Sequence, residues 1–168
     1  DSLLLRNTSL HDLAFLHTLR EVADTLQIVD NDNLESLDGL HQVKSIGYEY
    51  KTSHSIHSSQ FEPSLSLLIA NNDGLLTLDG LNSLSHVYGA IEIRNNLFLH
   101  DVDGLTNLET IEDKILQVTI LDTGNWLHTY ETKTNRGSLM IEDNPNIGSF
   151  SGLSSLKSLS GDLTIKAA

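Results

Sequence analysis

The apolar positions of this chain fall into a repeating register. One block reads Leu67-Leu68-Ile69-Ala70-Asn71-Asn72, followed by Leu75, Leu78, Leu81, Leu84 and Val87. The next reads Ile91-Glu92-Ile93-Arg94-Asn95-Asn96, followed by Leu99, Val102, Leu105, Leu108 and Ile111, each position 24 residues further on. A later block carries Leu139, Ile141, Asn144, Ile147, Phe150, Leu153, Leu156 and Leu159. An earlier one carries Leu26, Ile28, Asn31, Leu34, Leu37, Leu40, Val43 and Ile46. The N-terminal stretch fits with one residue deleted in its turn, and Leu163 and Ile165 open a sixth unit. Agreement at this many positions is an internal repeat, which takes precedence over any local reading.

Two periods coexist within a unit. The start alternates apolar-x-apolar, the pattern of a strand. The remainder is apolar at every third position, which suits an extended or 3₁₀-like path and not the i, i+3, i+4 spacing of an amphipathic helix. The pattern therefore predicts an all-β fold: a parallel β-solenoid of ~24-residue coils, with a leucine-rich-repeat horseshoe as the alternative. One domain over 1–168 is expected, interrupted by insertions at about 48–64 and 114–137.

Two polar ladders mark the turns. After the first strand, Asp30, Asn71, Asn95 and Asp143 form one rung, and Asn31, Asn72, Asn96 and Asn144 the next. Short amides bond to nearby backbone and tolerate left-handed conformations, so these residues are read as structural. Gly39, Gly80, Gly104 and Gly152 mark a second turn, where positive φ is expected. Phe15 takes this place in the first unit, whose turn is expected to differ.

The strings "IEIRNNLFLHDVDGLTNLETI" (91–111) and "LLIANNDGLLTLDGLNSLSHV" (67–87) resemble the receptor L-domain family. The match lies in the strand, the Asn-Asn turn, the "DGL" and the spaced Leu-Leu-Ile return, and it takes in everything outside the two insertions. The resemblance implies a right-handed parallel β-helix with leucine-rich-repeat-like turns. It also implies a secreted or cell-surface setting and a role in recognition or wall structure.

The first insertion is polar but carries Tyr48, Tyr50, His54, His57 and Phe61. The second holds Trp126, the single tryptophan, with His128 and Tyr130, and is read as a loop or hairpin. Long loops on a rigid scaffold often carry function, and Tyr and Trp suit binding surfaces. These eight residues are the candidate binding loops; packing of the aromatics against the scaffold is the bland alternative. Gln27, Leu68, Glu92, Arg94, Met140 and Glu142 are the candidate outward sheet face, on which Arg94, Glu142 and Lys166 are expected to align as a charge ladder.

Charge and composition narrow the partner. The net charge is −13, with no basic stripe, which argues against nucleic acid and anionic membranes. No apolar run reaches the roughly 18 residues of a membrane span. Without cysteine there are no disulfides, thiolate metal sites or cysteine nucleophiles. No paired carboxylates fall on adjacent outward strand positions, and no Gly-x-Ser-x-Gly, phosphate-loop or dinucleotide fingerprint is present. No metal or cofactor is expected: His54 and His57 lack a third ligand in sequence, and the "DNDN" run at 30–33 lacks the Gly and distal Glu of a calcium loop. Asn7-Thr8-Ser9 is a glycosylation sequon. The reading is a non-catalytic extracellular or cell-surface recognition and adhesion module with a protein or glycan ligand. The alternative is a fibre or cell-wall subunit that assembles as a homo-oligomer through open ends.

Overall fold

The computed structural model describes residues 1–47, 65–121, 127–135 and 137–166. In chain order the strands are β1 (Leu3–Arg6), β2 (Glu21–Val22), β3 (Leu26–Val29), β4 (Ser45–Ile46), β5 (Leu65–Ala70), β6 (His86–Tyr88) and β7 (Ala90–Arg94). They continue as β8 (Thr110–Glu112), β9 (Lys114–Leu121), β10 (Leu127–Asn135), β11 (Leu139–Glu142), β12 (Ser158–Leu159) and β13 (Leu163–Lys166). Short 3₁₀ turns lie at Ala14–Leu16, Asp79–Leu81, Asp103–Leu105 and Ser151–Leu153.

Eleven of these strands make two parallel sheets, and β9 and β10 pair with each other. The six-stranded sheet runs β1-β3-β5-β7-β11-β13, and the five-stranded sheet runs β12-β8-β6-β4-β2. Residues one unit apart pair directly: Ile28 with Ile69, Ile69 with Ile93, Ile93 with Ile141, and Ile141 with Ile165. On the other sheet Val22, Ile46, Val87, Ile111 and Leu159 form the matching row. Strand order alternates between the sheets along the chain, so each of the first five units contributes one strand to each, and the sixth contributes β13.

This corrects the expected closed solenoid, whether β-helix or horseshoe. The chain forms two open parallel sheets joined by short turns, and no further sheet closes the path among the described residues. The cause lies in the every-third-residue stretch. Leu78, Leu81 and Leu84 point inward, but the backbone bonds locally, Leu81 N–H to Leu78 C=O at 2.8 Å and Leu84 N–H to Leu81 C=O at 2.9 Å. Those amides are thereby spent within the unit and build no ladder to the next one.

The core is almost purely aliphatic. Leu26, Ile28, Leu67, Ile69, Ile91, Ile93, Leu139 and Ile141 enter it from the larger sheet. Val22, Ile46, Val87 and Ile111 enter from the smaller one, and Leu34, Leu37, Leu40 and their equivalents from the connecting stretch. At both ends the same positions are less covered: Leu3, Leu5, Leu16, Leu156 and Leu159 are only partly buried.

The asparagine rungs are a buried hydrogen-bond file. Asn31, Asn72, Asn96 and Asn144 are all buried. Each side-chain oxygen from Asn72 onward accepts the backbone N–H of the preceding rung, Asn31, Asn72 and Asn96 in turn, at 3.0–3.1 Å. Each side-chain nitrogen bonds the carbonyl two residues back, as Asn72 Nδ2 does with Ala70 O at 3.0 Å. Thr8 heads the file, its N–H and its hydroxyl both donating to Asn31 Oδ1. The residue before each rung turns the chain in the left-handed region: Asn7, Asp30, Asn71, Asn95 and Asp143 have φ of 52–59°. Asn7 is thus the first member of this rung as well as the sequon residue, and it is exposed.

The glycine turn differs from expectation. Gly39 has φ of 111°, but Gly80, Gly104 and Gly152 do not lie at positive φ. They are needed for closeness: a Cβ on Gly104 would sit 1.8 Å from the Leu78 carbonyl oxygen, and one on Gly152 1.9 Å from that of Val102. The first unit's turn does not differ either. Ala14–Leu16 is the same 3₁₀ turn, and Phe15 fits there, 59% exposed, because no earlier unit lies against it among the described residues.

Candidate functional site

Each unit crosses from the smaller sheet to the larger at one corner. Three residues, 23–25, make that crossing between β2 and β3, and Gly89 alone makes it between β6 and β7. Both insertions leave from this corner. Residues 47–64 separate β4 from β5, and the segment with β9 and β10 separates β8 from β11. Because β6 is flanked by β4 and β8, and β7 by β5 and β11, the two insertions depart from units on either side of a single uninserted one. At about 4.8 Å between neighbouring strands, their roots lie about 10 Å apart.

The corner is tightly packed. Gly47 N–H donates to Val22 O at 2.8 Å, and Gly89 N–H to Glu112 O at 2.8 Å. Gly47 has φ of 73°, and a Cβ there would lie 2.5 Å from Tyr88 O, so only glycine fits. The Ser66 hydroxyl donates to the Tyr88 carbonyl. At the root of the second insertion, Asp113 Oδ1 accepts from Gly137 N–H at 3.1 Å and from the Ser160 hydroxyl at 2.7 Å. Both insertions are therefore anchored in fixed backbone.

The second insertion forms an antiparallel hairpin, with Leu127 opposite Leu121 and Tyr130 opposite Val118. His128 and Tyr130 lie on its second strand, β10. Tyr48, Tyr50, His54, His57, Phe61 and Trp126 lie outside the described residues.

The candidate sheet-face residues are brought together. Gln27, Leu68, Glu92 and Met140 pair in one row, and Val29, Ala70, Arg94, Glu142 and Lys166 in the next. The expected charge ladder is only partly formed. Lys166 meets Glu142 at 3.2 Å, whereas Arg94 turns to Glu92 on its own strand at 3.6 Å. The second row is also interrupted by Val29 and Ala70, which are buried. At its N-terminal end Arg6 pairs with Asp30 at 3.0 Å. The Asn71 side-chain amide, and after it the Arg6 guanidinium, hold the Asp30 carboxyl below its ordinary pKa.

A groove on the outer side of the smaller sheet escapes a reading of the leucine pattern alone. It encloses about 640 Å³ beside the corner, lined by Glu21, Lys44, Ser45, Gly47, His86 and Tyr88, with Ala23 and Ser85. Glu21, Ser45 and His86 pair in register and form its floor. The depression exists because Ala23, Ser45 and Gly47 are small, while Glu21, Lys44, His86 and Tyr88 stand around them. The signal in sequence is a triplet at the unit's end with its apolar residue in the middle: Ser45-Ile46-Gly47, His86-Val87-Tyr88, Thr110-Ile111-Glu112.

Ser85 and His86 adjoin this groove. Ser85 Oγ donates to Lys44 O at 3.2 Å and lies 2.7 Å from His86 Nδ1. The contact orients the imidazole, and the ring tautomer sets which of the two atoms donates. Among the described residues no group of three or more His, Asp or Glu is placed to hold a metal ion, and no helix is long and apolar enough to cross a membrane. No protein-family model, curated protein or solved structure matches the chain.

Proposed function

We propose that this chain is a non-catalytic recognition and adhesion module that works outside the cell or at its surface and takes a protein or glycan ligand. The observation that carries the reading is the common corner. Two insertions of unrelated sequence leave the same edge of the scaffold with a single unit between them, from backbone held rigid by Gly47, Gly89 and Asp113. An arrangement that lengthens the repeat twice at one edge is what a loop-borne binding surface needs. The resemblance of 67–87 and 91–111 to receptor L-domains points the same way.

The test is display of the chain on a cell that is not otherwise adhesive, scored for attachment to immobilised glycans and matrix proteins. Attachment that disappears when 48–64 is replaced by a short Gly-Ser link, or when His128 and Tyr130 become alanine, supports the reading. A displayed, folded chain that attaches to nothing contradicts it.

A second reading, a fibre or wall subunit, draws on the sheet edges. β13 closes one side of the six-stranded sheet and leaves Leu163 and Ile165 54% and 45% exposed. Against head-to-tail stacking, β1 of one copy on β13 of another sets Arg6 beside Lys166, a like-charge pair directly opposed across strands. Electron microscopy of the purified chain separates the readings: discrete particles favour the module, filaments the subunit.

A further inference from the structure

We infer that the groove on the five-stranded sheet is a binding site for a neutral oligosaccharide, with Tyr88 as its stacking platform. The inference rests on the recognition reading above and names the ligand class for one place on the scaffold.

The groove has the size of a small-ligand site. Such sites run from roughly 300 Å³ to roughly 1000 Å³. This one encloses about 640 Å³. Its chemistry is mixed in a particular way. Glu21 supplies a carboxylate acceptor, Lys44 an ammonium donor, and Ser45 a hydroxyl that does both. The His86 ring has its Nδ1 already engaged by Ser85, leaving Nε2 toward other partners. Glu21 and Lys44 offset each other's charge, so the groove selects neither an anion nor a cation. An acidic sugar or a nucleic acid also meets the net charge of −13. An apolar peptide segment would leave the carboxylate, ammonium and hydroxyl of Glu21, Lys44 and Ser45 without partners. A ligand dense in hydroxyls, with C–H faces for an aromatic ring, satisfies donors, acceptors and Tyr88 together.

The floor is also fixed in advance. Glu21, Ser45 and His86 are held in register by the sheet, and Gly47 is held against the Tyr88 backbone. The backbone beneath the site therefore needs no ordering on binding.

The experiment is calorimetric titration of the full chain with three neutral hexasaccharides, built of glucose, mannose and N-acetylglucosamine. It is repeated with Tyr88→Ala, Tyr88→Phe, Glu21→Gln and Lys44→Met. Binding of at least one sugar, weakened at least about tenfold by Tyr88→Ala and by Glu21→Gln but kept by Tyr88→Phe, is the expected result. Glu21 and Lys44 are exposed, so their variants report on the groove even if Tyr88→Ala does not fold. No binding to any of the three, or binding that none of the groove substitutions alters, overturns the inference. Cell attachment that depends on the insertions while the groove variants remain silent leaves the recognition reading standing and removes the groove from it. Absence of both attachment and sugar binding removes both.

Discussion

The side-chain oxygen of Asn96 accepts two hydrogen bonds from Asn72, one from its backbone N–H at 3.1 Å and one from its side-chain amide at 3.2 Å. The two residues stand 24 apart in sequence and are buried, so water cannot replace either bond. The same relation joins Asn31 to Asn72 and Asn96 to Asn144. It ties each unit to the next at the point where the chain leaves the larger sheet and its ladder ends.

Asn72→Ala is the direct challenge to that file. It strands the buried Asn31 N–H and takes a donor from the carbonyls of Ile28 and Ala70, of which Ala70 O still accepts from the Asp30 N–H. With about 1–3 kcal/mol for the N–H left unpaired and the lost bonds to the carbonyls added, a loss of about 2 kcal/mol or more is expected in urea unfolding. Asn72→Asp is expected to be no better, because a carboxylate cannot donate to those carbonyls. A cost below about 1 kcal/mol for both would show that the file does not hold the units together.

Glycine substitution separates close approach from conformational freedom. Gly104→Ala puts a methyl 1.8 Å from the Leu78 carbonyl oxygen, a clash with backbone that no rotamer relieves. About 3 kcal/mol or more should be lost, or the chain should fail to fold. At Gly148 an added methyl meets nothing within 4 Å. Gly148→Ala should therefore stay within about 0.5 kcal/mol of the parent. Thermal melts of the pair make the comparison.

Core truncation grades the interior in the same way. Leu81 and Ile69 are fully buried. Either one changed to alanine should cost about 2–5 kcal/mol. Phe15 is largely exposed. Its replacement by alanine should cost only about 0.5 kcal/mol. Equal losses at Phe15 and Leu81 in denaturant unfolding would contradict the burial described.

Much of this architecture is legible in sequence, and what is not has identifiable causes. The 24-residue spacing places Ile69 beside Ile93, because apolar residues that cannot be buried within one unit are buried by stacking the next upon it. The Asn rungs can be read from residue type, since few side chains tolerate both a left-handed turn and a buried polar environment. Closure cannot be read: a three-residue apolar period fixes which side chains face inward, not whether the backbone bonds to its neighbour or to itself, and Leu81 bonds to Leu78. The smaller sheet is hard to see because Ser45–Ile46 and its equivalents are two or three residues long, too short for alternation to show. Nor does sequence tell Gly104 from Gly39, since close approach and positive φ call for the same residue. At the site, the insertions are visible as breaks in the period. The groove beside them arises from side-chain size on adjacent strands, which requires the register of β2, β4 and β6 first.

Asp30 gives the fold a pH signature. Its carboxyl is held below its ordinary pKa by Asn71 and Arg6, so the folded state binds that proton less readily than the unfolded chain. The stabilisation is complete above the unfolded value of about 3.9 and is lost as pH falls through the depressed folded value. Asp30→Asn keeps the left-handed turn and an acceptor for Asn71 but removes the charge. The difference in stability between parent and variant should therefore be present at about pH 6 and shrink on acidification below about pH 4. A difference that grows toward low pH would have the wrong sign.

Residues one repeat apart are neighbours in two parallel sheets, and every other feature of the molecule depends on that pairing. Inter-strand proton contacts, measured by isotope-edited NMR on the full chain, test it most directly. Contacts in parallel register linking Ile69 to both Ile28 and Ile93, together with Val87 to Ile46 and Ile111, are the predicted result. Antiparallel contacts at these positions, or none between residues 24 apart, would contradict the account.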